Sequence, residues 1–402
     1  MRAGPSQRSR VQLAWLLLAV VLGMSPWFSA TVVVAAMTAE WGASSAAGVW
    51  LTLAVQLGFV VGSAISAALL LSDRMRPATL AAHSALVAAA ATAALTLPMV
   101  HAPGAILLRF IVGVALAGVY PPAIKLAAGW TLTRRGAAIG ALVGGTTLGS
   151  AVPHLLKVVG DPSLWRVLLL VAASCAAVGG VIFSTIVKEG PHHQPSTPFD
   201  PRAIGRVIQN RGVRLASLGY LGHMWELYAM WSTIGLFWAI AVDRYGLPLW
   251  VGPLVAFASV SAGVPGSVWA GYAADRMGRS NVTIIAMAVS GACSLAIGPL
   301  LRGPFLLLFF VSLVWGGAIV ADSAQFSAAV TEFSDDRLVG TSVTLQTALG
   351  FLLTTVTIRL VPTWSQWWGW EYAYAPLALG PAFGIVAMLR LRGLERQHTY
   401  PR

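Results

Sequence analysis

Asp73-Arg74-Met75-Arg76 and Asp275-Arg276-Met277-Gly278-Arg279 are two versions of one charged turn, 202 residues apart in a chain of 402. Each lies between apolar runs long enough to cross a bilayer. A charged hairpin repeated at half the chain length, inside a hydrophobic protein, points to two related bundles fused end to end. Working outward from these turns, breaks at charge clusters and at Pro or Gly divide the chain into twelve spans. They fall at 11–37, 46–71, 78–98, 104–130, 137–157, 165–187, 214–242, 249–273, 281–301, 304–330, 339–362 and 371–391, and are called spans 1 to 12 below. Each approaches or exceeds the roughly twenty residues that a helix needs to cross the hydrocarbon core.

Composition agrees with that reading. The chain is 57% hydrophobic and 10% charged, a balance outside the range of soluble domains. Its net charge of +12 is placed by topology. Arg2, Arg8 and Arg10 precede span 1. Arg74 and Arg76, Arg134 and Arg135, Arg202, Arg206, Arg211 and Arg214, and Arg276 and Arg279 fill alternate connections, and Arg392, Arg396 and Arg402 end the chain. The opposite connections hold few cations. This positive-inside bias predicts a multi-pass protein of the cell membrane with both termini in the cytoplasm. The basic excess then faces anionic lipid headgroups, and a nucleic-acid partner is not expected. Cys175 and Cys293 lie inside apolar runs, as packing residues do. His192-His193 has no further ligands nearby, so no metal site is expected.

The segment from Lys188 to Pro198 is polar and proline-rich and cannot continue a spanning helix. It predicts a cytoplasmic linker at 188–213 between an N-terminal six-helix bundle, 1–187, and a C-terminal one, 214–402. Small residues crowd the helices before each charged turn: Gly58, Gly62 and Ser63 in one, Gly263, Gly266 and Gly271 in the other. Such residues let membrane helices approach closely.

These features resemble the major facilitator superfamily. Its hallmark is a Gly, three residues, Asp-Arg, one residue, Gly, then basic residues. Gly271-Tyr272-Ala273-Ala274-Asp275-Arg276-Met277-Gly278-Arg279 fits it well. The first copy departs from it, with Leu69 in place of Gly and Arg76-Pro77 in place of the Gly-basic step. Arg109-Phe110-Ile111-Val112-Gly113 resembles a second family feature in span 4. The glycine ladder Gly140, Gly144, Gly145, Gly149 with Pro153 matches the antiporter pattern of span 5 in part, lacking its Gly-Pro step. The nitrate/nitrite branch is disfavoured, because spans 2 and 8 carry no Arg and 140–149 no Asn. The resemblance implies an all-α integral membrane protein of twelve helices in two pseudo-symmetric six-helix bundles, with spans 1, 4, 7 and 10 around a central cavity. It also implies a gating role for Asp73, Arg74, Gly271, Asp275, Arg276, Gly278 and Arg279. The aspartates would pair with Arg or helix N-termini across the bundles and hold the outward-facing state.

An ionisable group at membrane depth is a functional candidate by default. Glu226, about twelve residues into span 7, is a proton-carrier candidate, because a carboxylate changes protonation as its surroundings dry out or open to water. His223 lies on the same helical face and could relay that proton; a structural Glu–His bond is the other reading. Asp322 in span 10 is a further proton or substrate-cation site, or else an ion-pair partner of Lys125. Arg109, with Gly113 and Tyr120 along one face of span 4, would have an acidic partner; it could influence a proton site, bind an anionic substrate or be purely structural. Trp27, Trp225, Tyr228 and Trp231 could form an aromatic cavity wall or be packing residues, and Gln325, on the same side of span 10 as Asp322, is a further cavity candidate.

These readings together predict a monomeric secondary active transporter. It would move a small organic solute across the cytoplasmic membrane by alternating access, coupled to protons by symport or by antiport and efflux. An uncoupled facilitator of the same fold is the alternative, and a membrane-embedded sensor a further one. No cofactor is implied. Nothing in the chain resembles an enzyme's nucleophile constellation, and Gly140–Gly149 lacks the Lys-Ser/Thr ending of a phosphate-binding loop.

Overall fold

The computed structural model describes residues 7–130, 135–159, 164–192 and 200–399, and within them all regular structure is helical. Nine helices are long and apolar enough to span a membrane among the described residues, covering spans 2–6, 8 and 10–12. The other three spans are helical but more polar or interrupted. Span 1 is Gln7–Met24, Ser29–Val32 and Val34–Glu40; span 7 is one helix of 34 residues, Arg211–Arg244, with His223 and Glu226 inside; span 9, Arg279–Ala296, opens on Arg279-Ser280-Asn281. Exposed apolar side chains such as Leu107, Val178, Val181, Leu306, Phe310 and Val356 ring the outside, the surface that lipid covers.

The breaks have local causes. Proline removes a backbone donor and crowds the carbonyl four residues earlier. Pro26 frees the carbonyl of Leu22, and Ser25 Oγ donates to it at 2.8 Å. Pro121 and Pro122 separate Ala102–Leu116 from Tyr120–Trp130 in span 4. Pro265 separates Val251–Ser261 from Gly263–Met277 in span 8. Span 10 pauses at Asp322, between Phe305–Ala321 and Ser323–Phe333.

Two segments differ from the hydropathy reading. Span 12 begins at Leu379 and runs to Thr399, eight residues later than expected. Gly369, at φ +78°, ends span 11, and a turn and a short 3-10 stretch at Ala375–Ala378 precede span 12. The linker also folds further than its composition suggests. Pro201–Ala203 and Ile204–Gln209 are helical turns, and Asn210 caps span 7 by accepting from Val213 N–H at 3.1 Å. Asn210 Nδ2 donates to Phe333 O at 2.8 Å, tying the linker's end to span 10. Residues 193–199, including His193, lie outside the described residues.

Spans 2 and 4 pack closely, as do their repeat counterparts, spans 8 and 10. In the first pair a Cβ on Gly58, Gly62 or Gly113 would overlap the facing backbone; in the second, one on Gly266 or Gly316 would do the same. Between the bundles, spans 5 and 8 meet, and spans 2 and 11. A Cβ on Gly140 would stand 2.6 Å from Ser267 O and 3.7 Å from Gly271 Cα. The glycine ladder of span 5 is therefore a seam for span 8 on one side, while Gly149 meets Val21 and Met24 of span 1 on the other.

Each bundle also carries an ionic latch at the end opposite the Asp-Arg turns. At the end of span 1, Glu40 accepts from Arg166 Nη1 at 2.7 Å and Trp165 Nε1 at 2.8 Å, at the start of span 6. Arg244, ending span 7, donates to Glu371, ahead of span 12, at 2.9 Å. These are equivalent positions in the repeat with the charges exchanged. The hydrogen bonds from Arg166 and Trp165 hold the Glu40 carboxyl down to about 2, and the bond from Arg244 lowers that of Glu371.

Two outcomes follow. Gly113→Leu or Gly316→Leu should lower stability by about 3 kcal/mol, read as thermal unfolding in detergent. Gly104→Leu, where the nearest atom is 3.9 Å away, should be neutral. Because the Glu40 carboxyl is depressed below its ordinary 4.5, its contribution is complete above that pH and fades as pH falls toward about 2. The Tm difference between wild type and Glu40→Gln should therefore be constant near neutrality and shrink in acid; a difference growing in acid would show that the latch is not the cause.

Candidate functional site

A cavity of about 490 Å³ lies between the bundles. Its roof is an aromatic plug drawn from both. Trp27 stands 5.0 Å from Phe59, 5.7 Å from Tyr228 and 5.8 Å from Phe351, centroid to centroid; Phe59 and Phe351 lie 4.5 Å apart, and Tyr228 and Trp231 5.5 Å apart. Phe28 backs Trp231 at 6.1 Å. All of these side chains are buried. At the other end the lining reaches Arg279, Thr331 and Glu332, with Thr331 and Glu332 exposed. The cavity thus opens on the face of the Asp-Arg turns and is closed opposite.

Trp27, Tyr120, His223, Tyr228, Trp231 and Gln325 line it. So does Arg279 of the second turn, which donates to Glu332 Oε1 at 2.8 and 2.5 Å and to Gln325 Oε1 at 3.1 Å. Phe59, Tyr220, Thr147 and Phe351 also line it. They come from spans 2, 7, 5 and 11, and nothing in the sequence separates them from ordinary packing residues.

Arg109 does not line the cavity and has no carboxylate partner among the described residues. It is fully buried behind the roof. Its Nε donates to Leu51 O at 3.1 Å, Nη1 to Pro26 O at 2.8 Å, and Nη2 to Trp27 O. The break at Pro26 turns two carbonyls of span 1 toward span 4, and a forked cation reaches them together with one of span 2. Trp225 also turns away, donating from Nε1 to Pro376 O at 3.2 Å.

His223 and Glu226 do not share a bond, although they lie one turn apart. His223 Nδ1 is 2.8 Å from Asp322 Oδ1, an ion-pair distance without hydrogen-bond alignment, and its Nε2 is 2.9 Å from Ser323 Oγ. Glu226 points into the C-terminal bundle. It accepts from Ser290 Oγ at 2.9 Å and Trp315 Nε1 at 2.6 Å, away from the cavity lining. The pause at Asp322 in span 10 places that carboxylate and Ser323 on opposite nitrogens of one imidazole.

The turns themselves are unequal. Gly278 has φ +83°, a left-handed conformation that glycine adopts readily. Gly271 is buried against span 5, while Asp275, Arg276 and Arg74 are exposed. Asp275 makes no ion pair among the described residues. The Asp73 side chain lies outside them. No three His, Cys, Asp or Glu side chains gather at metal-binding distance among the described residues.

The Major Facilitator Superfamily model matches residues 15–357. The chain belongs to that superfamily. It is therefore a multi-pass membrane protein of a transporter family, not an enzyme. Among solved structures it is similar to the proton:xylose symporter XylE bound to 6-bromo-6-deoxy-D-glucose. The TM-score is 0.71 at 12% identity, covering 96% of this chain and 95% of that one. At that identity the likeness is one of fold. No curated protein sequence matches the chain.

The partners of Arg109 make a structural role testable. Arg109→Met removes charge-assisted bonds worth about 1.5–3 kcal/mol each and should lower the Tm sharply, with Arg109→Lys recovering part of the loss. A change in substrate KM at unchanged Tm would contradict this assignment.

Proposed function

We propose that this protein is a proton-coupled secondary transporter of a small organic solute, working by alternating access in the cell membrane with both termini in the cytoplasm. The orientation follows from the basic connections, so the cavity described above is the inward-open form. Residues 1–187 and 214–402, joined by 188–213, are the two bodies that rock about the cavity. The turns act as the gate: Asp275, unpaired here, and Asp73 engage when the basic face closes, while Gly271, Gly278 and the arginines Arg74, Arg276 and Arg279 shape that contact. The fold shared with the proton:xylose symporter XylE supports the reading by analogy of fold alone.

The observation that carries the coupling is His223 at the cavity wall with Asp322 behind it, 2.8 Å away. In the inward-open form the imidazole reaches cavity water and can exchange a proton. When the basic face closes and the plug parts, the same imidazole faces the other side. Asp322 stabilises the imidazolium, and Ser323 orients the ring through Nε2. Glu226, held by Ser290 and Trp315, is a second carboxylate that supports this site from within the bundle. The protein acts on its solute as a monomer within the bilayer.

The test is solute-linked proton movement in proteoliposomes, recorded with an internal pH dye against a panel of organic cations, organic acids and sugars. Wild type should move protons with at least one solute, and Asp322→Asn and His223→Gln should lose that linkage. Full solute flux without pH change in wild type would establish a facilitator instead.

A further inference from the structure

The cavity is built for one sign of charge. Its roof is carbon and phenol from Trp27, Phe59, Tyr228 and Phe351, whose ring faces carry negative quadrupole density. Among the described lining residues Arg279 is the one Arg or Lys, and it is engaged at the mouth by Glu332 and Gln325. Behind the wall Asp322 is 2% exposed and Glu226 1%. The titratable groups around the His223–Asp322 pair are Tyr220, Glu226 and Tyr228 on span 7, Glu332 on span 10, Arg279 on span 9 and Tyr120 on span 4. Spans 5 and 11 line the cavity with none. The phenols are neutral near pH 7, and Arg279 and Glu332 cancel.

This leaves the pair itself to decide the local charge. With His223 protonated, the pair is neutral overall. When that proton leaves, a bare carboxylate remains in a dry wall, with Glu226 one turn away. An unpaired buried charge is costly, and the lining supplies no free cation to replace the proton.

Resting on the transporter reading above, we propose that the cavity binds an aromatic or polycyclic organic cation in exchange for the His223 proton. The cation sits under Trp27 and Tyr228 by cation–π contact and balances Asp322. One positive charge enters as one proton leaves to the cavity water, so the wall never holds a naked carboxylate. A volume of about 490 Å³ is that of a site for a drug-sized molecule. An organic acid meets no free cation in the wall. A sugar carries no charge to replace the departing proton.

The experiment is equilibrium binding to the purified full chain in detergent, against protein-free micelles. The probes are tetraphenylphosphonium, tetraphenylborate (the same shape with opposite charge) and xylose. Tetraphenylphosphonium should bind and the other two should not. Its affinity should weaken by up to about tenfold per unit of falling pH where one proton competes. Asp322→Asn should weaken binding and flatten that dependence, and His223→Gln should keep binding while flattening it. Trp27→Leu should weaken affinity by about tenfold, the scale of one cation–π contact, with the pH dependence intact. Preference for tetraphenylborate or xylose, no tetraphenylphosphonium binding at millimolar concentration, or binding indifferent to both pH and Asp322→Asn would each overturn the proposal. Proton-linked flux of an anion or sugar in vesicles, with no cation binding here, would sink this inference while leaving the transporter reading intact.

Discussion

A carboxylate that leaves water must find donors, a cation or a proton, and the C-terminal bundle is arranged around that demand. Glu226 and Asp322 meet it differently. Glu226 has two neutral donors, Ser290 and Trp315, fixed on spans 9 and 10. Asp322 has one partner whose charge can change, His223. The first arrangement is static and turned away from the cavity; the second lies at its wall. The N-terminal bundle faces the opposite problem, a buried cation. It meets it without any acid, by setting Arg109 on carbonyls that the break at Pro26 and the adjoining turn of span 2 leave available. The same guanidinium thereby fixes Trp27, so roof and buried charge are one construction.

The closed roof is not fully satisfied. The indole nitrogens of Trp27 and Trp231 and the whole amide of Gln56, one turn from Phe59, are buried without partners among the described residues. Orphan polar groups cost about 1–3 kcal/mol each. Good packing in carbon is set against missing hydrogen bonds, and parting the roof, as the proposed cycle requires, would return those groups to water. That balance is what a two-state gate requires, because neither form can be deeply favoured.

Much of this was legible in the sequence, for stated reasons. Hydropathy runs marked the spans, and the recurrence of Asp-Arg-Met at half the chain length revealed the duplication. Depth in an apolar run singled out Glu226, His223, Asp322 and Arg109. What could not be read was partnership. His223 and Glu226 are neighbours by helical spacing, yet His223 pairs with Asp322, about a hundred residues on. Arg109 takes carbonyls, which leave no trace in residue type. Phe59 and Phe351 are ordinary core letters until spans 2 and 11 bring them to 4.5 Å. The start of span 12 was misplaced because the aromatic, apolar stretch after Gly369 looks like span but folds as turn.

The distribution of strong and weak contacts bears on motion. Glu40–Arg166, Arg244–Glu371, Arg279–Glu332 and His223–Asp322 all join elements of a single bundle. Across the bundles the contacts include glycine against backbone in spans 5 and 8, and ring against ring at the roof. Charged contacts are directional and resist sliding; glycine seams and stacked rings tolerate small rotations at little cost. Each bundle is thus tied to itself at the end opposite the Asp-Arg turns by a latch of exchanged polarity, and meets the other through glycine seams and rings. Rocking of two rigid bodies, as proposed, needs that division of stiffness, and it sets the plug and the Asp-Arg turns as the two places where the cycle must spend its work.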